Sequence, residues 1–101
     1  KMESKDIDIN QNEFHRQFEA HLNQHLVTLE YADNDRNMFL TKVTYDKDKH
    51  DEDLILIFIK AVLDYLKEKE ITIVPTSPLV KKFIKRNKLK YKEMLPIGMA
   101  I

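Results

Sequence analysis

Apolar residues recur along this chain first at every second position, then almost without interruption, then on one side of a basic segment. Between Phe14 and Tyr31 two periods compete. Phe14, Phe18, Leu22 and Leu26 recur every four residues, as on a helix, while Phe14, Phe18, Ala20 and Leu22 also share one face of a strand. Leu26-Val-Thr-Leu-Glu-Tyr31 is rich in β-favouring residues and Asn23-Gln24 suits a turn, so two antiparallel strands are predicted, about 14–21 and 25–32. Asp33-Asn34-Asp35 marks the next turn, and Met38 to Tyr45 alternates as a third strand, completing a three-strand meander.

Asp46 to Asp53 is a charged loop with five acidic residues, two lysines and His50. Asp51 or Asp53 can cap the helix that follows, because a carboxylate accepts hydrogen bonds from the first free amides and suits the positive end of the helix dipole. That helix, about 52–68, is apolar nearly all round from Leu54 to Ile59 and amphipathic later, so its first half is expected in the core against the sheet. Ile71 to Val74 reads as a short fourth strand stopped by Pro75. A second helix, about 77–87, sets Leu79, Val80, Phe83 and Ile84 against Lys81, Lys82, Lys85 and Arg86. Helix, strand, helix in that order usually places a ligand site where the strand ends. Tyr91, Met94, Leu95 and Ile97 make the tail apolar enough to pack back as a last strand or coil. Residues 1–12 are polar, with Ile7 and Ile9 as a possible edge strand, leaving 13–101 as a single domain.

The 101 residues are 43% hydrophobic and 34% charged, which fits one globular domain and excludes wholesale disorder. Seventeen Lys plus Arg balance seventeen Asp plus Glu, so any electrostatic steering must come from local patches. The absence of cysteine excludes disulfides, a thiolate zinc site and a cysteine nucleophile. The longest apolar run, Leu54 to Ile59, is far short of the roughly 20 residues that span a bilayer. No membrane partner is therefore expected. Nor does the chain show a charged start and apolar middle of a signal peptide, so the expected compartment is the cytoplasm. Lys1, ahead of Met2, reads as a remnant of an expression tag.

Three strands, a long helix, a fourth strand and a short second helix make an α+β arrangement, and the local sequence from about Phe14 to Leu95 resembles the very small, single-domain GNAT-like N-acetyltransferases. Their motifs are a His-Thr-Glu-Val-Pro segment on the third strand, a Gly-x-Gly loop opening the helix, and Pro-x-Cys-Ser-Tyr/Phe-Val. Leu40-Thr41-Lys42-Val43-Thr44 stands at the first of these, keeping Thr41 and Val43. Asp51-Glu52-Asp53 stands at the glycine loop, Phe58 to Asp64 matches the helix pattern, and Pro75-Thr76-Ser77-Pro78-Leu79-Val80 matches the cysteine motif. Arg86-Asn87 ends the last helix where family members carry a basic and a polar residue. The resemblance implies the minimal GNAT fold and an acetyl-CoA cofactor. It further implies attack of an amine on the thioester, with strand amides near Val43 stabilising the oxyanion and Ser77 near the sulfur. By family position the coenzyme contacts would be Val43, Thr44, Asp51, Asp53, Leu54, Arg86 and Asn87.

Two departures change what this implies. In the family, glycines let backbone amides at a helix start approach the coenzyme diphosphate. Here the single glycine of the chain is Gly98, and Asp51 and Asp53 place negative charge where two phosphates would sit; Lys47, Lys49 and His50 could offset part of it. Coenzyme binding is expected to be weak or lost. The second departure is Ser77 at the cysteine position: a hydroxyl needs a dedicated base, and no histidine follows His50. A helix cap before Pro78 is the plainer role for Ser77.

Three other groupings favour plain readings. His21 and His25 lie four apart, but flank a turn if the segment is a hairpin. The acidic loop lacks the glycine and closing glutamate of a calcium loop. Seven basic residues from Lys81 to Lys92 could meet nucleic acid phosphates or the coenzyme's terminal phosphate, with a solvated helix face the simpler account and nucleic acid not expected. The remaining partner is an unknown amine substrate or a protein. The alternative to an acetyltransferase is a non-catalytic interaction module using the groove beside the third strand or the basic helix 81–92.

Overall fold

Alternation decides the first half of the fold. In the computed structural model, which describes residues 2–101, Phe18, Ala20 and Leu22 are buried while His21 between them is exposed. The reading of Lys1 as a tag remnant lies outside the described residues. Strands β1 (Asn10–Asn12), β2 (Gln17–Leu22), β3 (His25–Asn34) and β4 (Asn37–Thr44) pair antiparallel in sequence order. Helix α1 (Glu52–Glu68) then crosses to β5 (Thr72–Pro75), which pairs parallel to β4 and closes the order β1-β2-β3-β4-β5. Helix α2 (Pro78–Arg86) follows, then a single turn, α3 (Lys88–Tyr91). The fold is the expected mixed α+β arrangement, with α1 and α2 in contact over the sheet face that carries the core.

The helical period of Phe14, Phe18, Leu22 and Leu26 is a coincidence of spacing. Phe14 is 90% exposed in the turn ahead of β2, and Leu26 is exposed as well. Asn23 and Gln24 make the two-residue turn between Leu22 and His25, both at positive φ, 53° and 67°. That geometry matches the natural twist of a hairpin. Between β3 and β4 the turn falls one residue later than Asp33-Asn34-Asp35 suggests: Asn34 pairs Asn37, so the loop is Asp35-Arg36. Arg16, Asp35 and Glu70 also take positive φ.

The edge strand lies at Asn10–Asn12 rather than at Ile7 and Ile9. Its amide side chains explain the choice, since Asn10 and Asn12 both donate to the Glu19 carboxylate on the facing strand. Ile7 is buried after a single 3-10 turn instead. In α1 the continuous apolar run divides: Ile55, Phe58 and Ile59 are fully buried, whereas Leu54, Leu56 and Ile57 sit partly buried against the rim of the core. The tail forms neither a strand nor plain coil at first, but α3 and a 3-10 turn, Lys92–Met94. Tyr91, Met94 and Leu95 pack inward as expected; Ile97 is fully exposed.

Candidate functional site

The parallel pair β4 and β5 separates after four paired positions, from Asn37 with Thr72 to Leu40 with Pro75. There β5 stops and the chain turns through Thr76 and Ser77 into α2. The Leu40 carbonyl then accepts from the Thr76 amide and the Ser77 amide, both at 3.0 Å, and from the Thr76 hydroxyl at 3.1 Å. Strand β4 runs on through Thr44, held only on its β3 side by Lys42 opposite Glu30, Val43 opposite Leu29 and Thr44 opposite Thr28. Thr41 is the extra residue of a bulge opposite Glu30 and Tyr31, and its hydroxyl donates to the Glu30 carbonyl at 3.1 Å. The far edge of β4 beyond Leu40 thus has no strand partner, and both α1 and α2 follow the carboxyl ends of the strands that diverge there. Such a place suits a ligand: strand ends open, helix dipoles point in.

The start of α1 is already supplied with anions. Asp51 caps the helix, its Oδ1 accepting the Leu54 amide at 2.8 Å. Its φ of −85° is ordinary extended backbone, so the position does not demand glycine for its dihedral angle. What differs from a glycine here is the side chain itself. Asp53 lies in the first turn, exposed. Glu52 reaches across to Lys82 of α2 in an ion pair that ties the two helices. The hydrogen bond from Lys82 is the main cause holding the Glu52 carboxyl below the usual carboxylate range, and the charges of Lys82 and Arg86 add to it.

Ser77 is buried, and its hydroxyl oxygen accepts the Val80 amide at 3.5 Å as the cap of α2, with Pro78 in the first helical turn. At the other end of α2, Asn87 closes the helix, its side-chain amide donating to the Phe83 carbonyl at 2.8 Å. Arg86 is exposed, one turn beyond Lys82. Val43 and Thr44 thus lie at the end of β4, and Asp51, Asp53 and Leu54 at the start of α1, while Arg86 and Asn87 lie along α2 from Ser77 by about 13 Å of helix.

His50 sits differently from what its charged neighbours suggest. It is buried, with Nε2 2.6 Å from the Leu22 carbonyl oxygen and Nδ1 without a partner. The rings of His25 and Tyr45 stand edge-on to it, at 6.1 and 6.5 Å between centroids. Facing the β2–β3 hairpin, it offers nothing to a phosphate at the start of α1. Nothing in its sequence context, two lysines, four aspartates and a glutamate within four residues either side, signals burial. His21 and His25 flank the hairpin turn; His21 pairs Leu26 and His25 pairs Leu22, so they lie on opposite faces of the ribbon and share no ligand.

A second polar cluster escaped the sequence reading because its members are far apart in the chain. Asp64 of α1 accepts from Lys60 at 2.8 Å and from the Tyr91 hydroxyl at 2.6 Å, with Lys90 at 3.7 Å. Burial works to raise the Asp64 carboxyl, but the hydrogen bonds from Lys60 and Tyr91 outweigh it and the group ends below its usual range. Burial, then the Asp64 hydrogen bond, pushes the Tyr91 hydroxyl above its ordinary value.

Across most of this architecture, residues 17–94, the sequence matches a family model described as GCN5-related N-acetyl-transferase. Comparison with curated proteins gives no match.

Proposed function

Because the chain belongs to the GCN5-related N-acetyltransferase family, we propose that it keeps the acetyltransferase fold while its binding of acetyl-CoA is weak or lost. One observation carries this reading: the Asp51 carboxylate occupies the Leu54 amide at the start of α1, where the family's glycine loop would offer free amides to a diphosphate. Glu52 adds to the effect by pairing with Lys82, a cation that a phosphate would otherwise meet. Two like charges about 4 Å apart at an effective dielectric near 20 repel by roughly 4 kcal/mol. With screening at this exposed helix start, a loss of about 10²-fold in affinity is the reasonable scale.

Ser77 fits the same reading. Its buried hydroxyl oxygen is engaged as a helix cap, and the last histidine of the chain, His50, is bonded to the Leu22 carbonyl. A base for a serine nucleophile is what such chemistry needs. The test is isothermal titration of the chain with acetyl-CoA. The expected result is no saturation below millimolar coenzyme; binding at micromolar concentration overturns the proposal.

A non-catalytic interaction module is the second reading, and the free edge of β4 favours it. Lys42–Thr44 pair only with β3, and unpaired strand groups can take an added strand from a partner. A flat titration with coenzyme leaves this reading standing.

A further inference from the structure

Residues 81–101 hold seven basic residues and one acidic residue, Glu93, inside a chain of zero net charge. Glu93 is engaged by Lys67 at 3.1 Å. Lys82 and Lys90 are paired as well, with Glu52 and Asp64. Lys81, Lys85, Lys88 and Lys92 are exposed, and among the described residues no acidic side chain pairs with them.

Apolar side chains stand among these lysines. Leu89 is fully exposed, although α3 is short and firmly held. The cause lies in the anchor: Tyr91, two residues on, is fully buried against Phe83 and bonded to Asp64, and that fixes the opposite side of the turn outward. Leu89 borders the concavity that Lys85 and Lys88 line. It also borders the next one, with Lys92, Ile97 and Met99. Ile97 is fully exposed and Met99 partly so. Leu89 and Ile97 thus share one surface, with Lys92 and the Lys67-paired Glu93 on it and Lys85 and Lys88 beside it.

From this we infer that the α2–α3 face binds the surface of a membrane rich in anionic lipid, with the lysines on the headgroups and Leu89 and Ile97 at the acyl boundary. Three occupants compete for a basic surface, and the composition separates them. Protein interfaces are depleted in lysine at their centres. Single-stranded nucleic acid sites stack bases on exposed rings, and both aromatic residues of this segment, Phe83 and Tyr91, are buried. Lysine with exposed aliphatic side chains is the combination an anionic lipid interface takes. The expectation of no membrane partner rests on the lack of a spanning segment; a surface patch needs no spanning helix. The inference does not rest on the free edge of β4 or on the start of α1, although Arg86 and Asn87, expected coenzyme contacts, border the same concavity as Leu89.

The test is co-sedimentation of the full chain with phosphatidylcholine vesicles, with and without phosphatidylserine, at low and high salt. Binding is expected only with phosphatidylserine and is released by high salt. Replacing Lys85 and Lys88 by alanine should weaken it roughly fivefold for each lysine. Leu89→Ser with Ile97→Ser, which changes no charge and no buried contact, should weaken it roughly tenfold or more. Equal binding to both vesicle types overturns the inference. So does binding indifferent to the Leu89 and Ile97 changes, and so does equal affinity for single-stranded RNA, since each marks a surface that attracts any polyanion. Acetyl-CoA titration reads the Asp51 carboxylate at the start of α1, so failure here leaves the coenzyme reading untouched.

Discussion

Helix α1 holds carboxylates near both its ends, and the two sets behave differently. At its start, Asp51 and Glu52 are exposed and engage a backbone amide and Lys82. In its later half, Asp64 is drawn into a cluster with Lys60, Lys90 and the hydroxyl of the fully buried Tyr91. The partners are similar and the settings are not. The first set lies in water at the helix start, so what it decides is which ligand can approach. The second bolts α3 to α1 above an aromatic ring, so what it decides is whether the tail stays folded.

The sharpest way to break this contrast is to empty the second region. Tyr91→Ala removes a fully buried aromatic ring and should cost about 3–5 kcal/mol of stability, measured by urea unfolding, whereas Tyr91→Phe should cost only about 1 kcal/mol. A silent alanine would mean that the tail contributes nothing to the core. Next in size is the start of the helix. Asp51→Gly with Asp53→Gly should raise acetyl-CoA affinity by about 10²-fold in titration. Its stability cost should be about 1 kcal/mol, because glycine is a tolerable cap in place of Asp51 but a poor helix former in place of Asp53.

The smallest effect is the dependence on pH. Asp64 has a folded pKa below its unfolded value, so its contribution is present above the ordinary carboxylate range and is lost as pH falls through the folded value. Because the group is part exposed, Asp64→Asn should cost about 1 kcal/mol at neutral pH. The difference from the unaltered chain should shrink toward zero in acid, followed by thermal melting across pH. A constant difference would show that the carboxylate's charge is not what holds the cluster.

Much of the frame was legible because it depends on neighbours in sequence. Phe18, Ala20 and Leu22 announce β2 by alternation, Asn23-Gln24 sets the hairpin, and Asp51 and Ser77 cap the helices they precede. Phe14 misled, since a ring at the right spacing can still project from a turn. The tail misled as well. What makes it helical is the reach of Tyr91 to Asp64, a contact 27 residues away in sequence that no local pattern encodes. At the start of α1 the sequence did not disclose that Glu52 would take Lys82 or that His50 would turn inward, because both depend on how α2 and the hairpin approach α1.

One backbone feature reaches beyond the site. Arg16, Asn23, Gln24, Asp35 and Glu70 all adopt left-handed geometry that glycine takes freely and other residues resist, in a chain whose lone glycine is near its end. Its sharp corners are imposed by the strands and helices they join rather than volunteered by their own residues. A polypeptide that turns its corners without glycine lacks the same small residue at the mouth of α1. The aspartates there are thus one instance of a chain-wide habit, and loosening any of these corners is an open route to a sturdier fold.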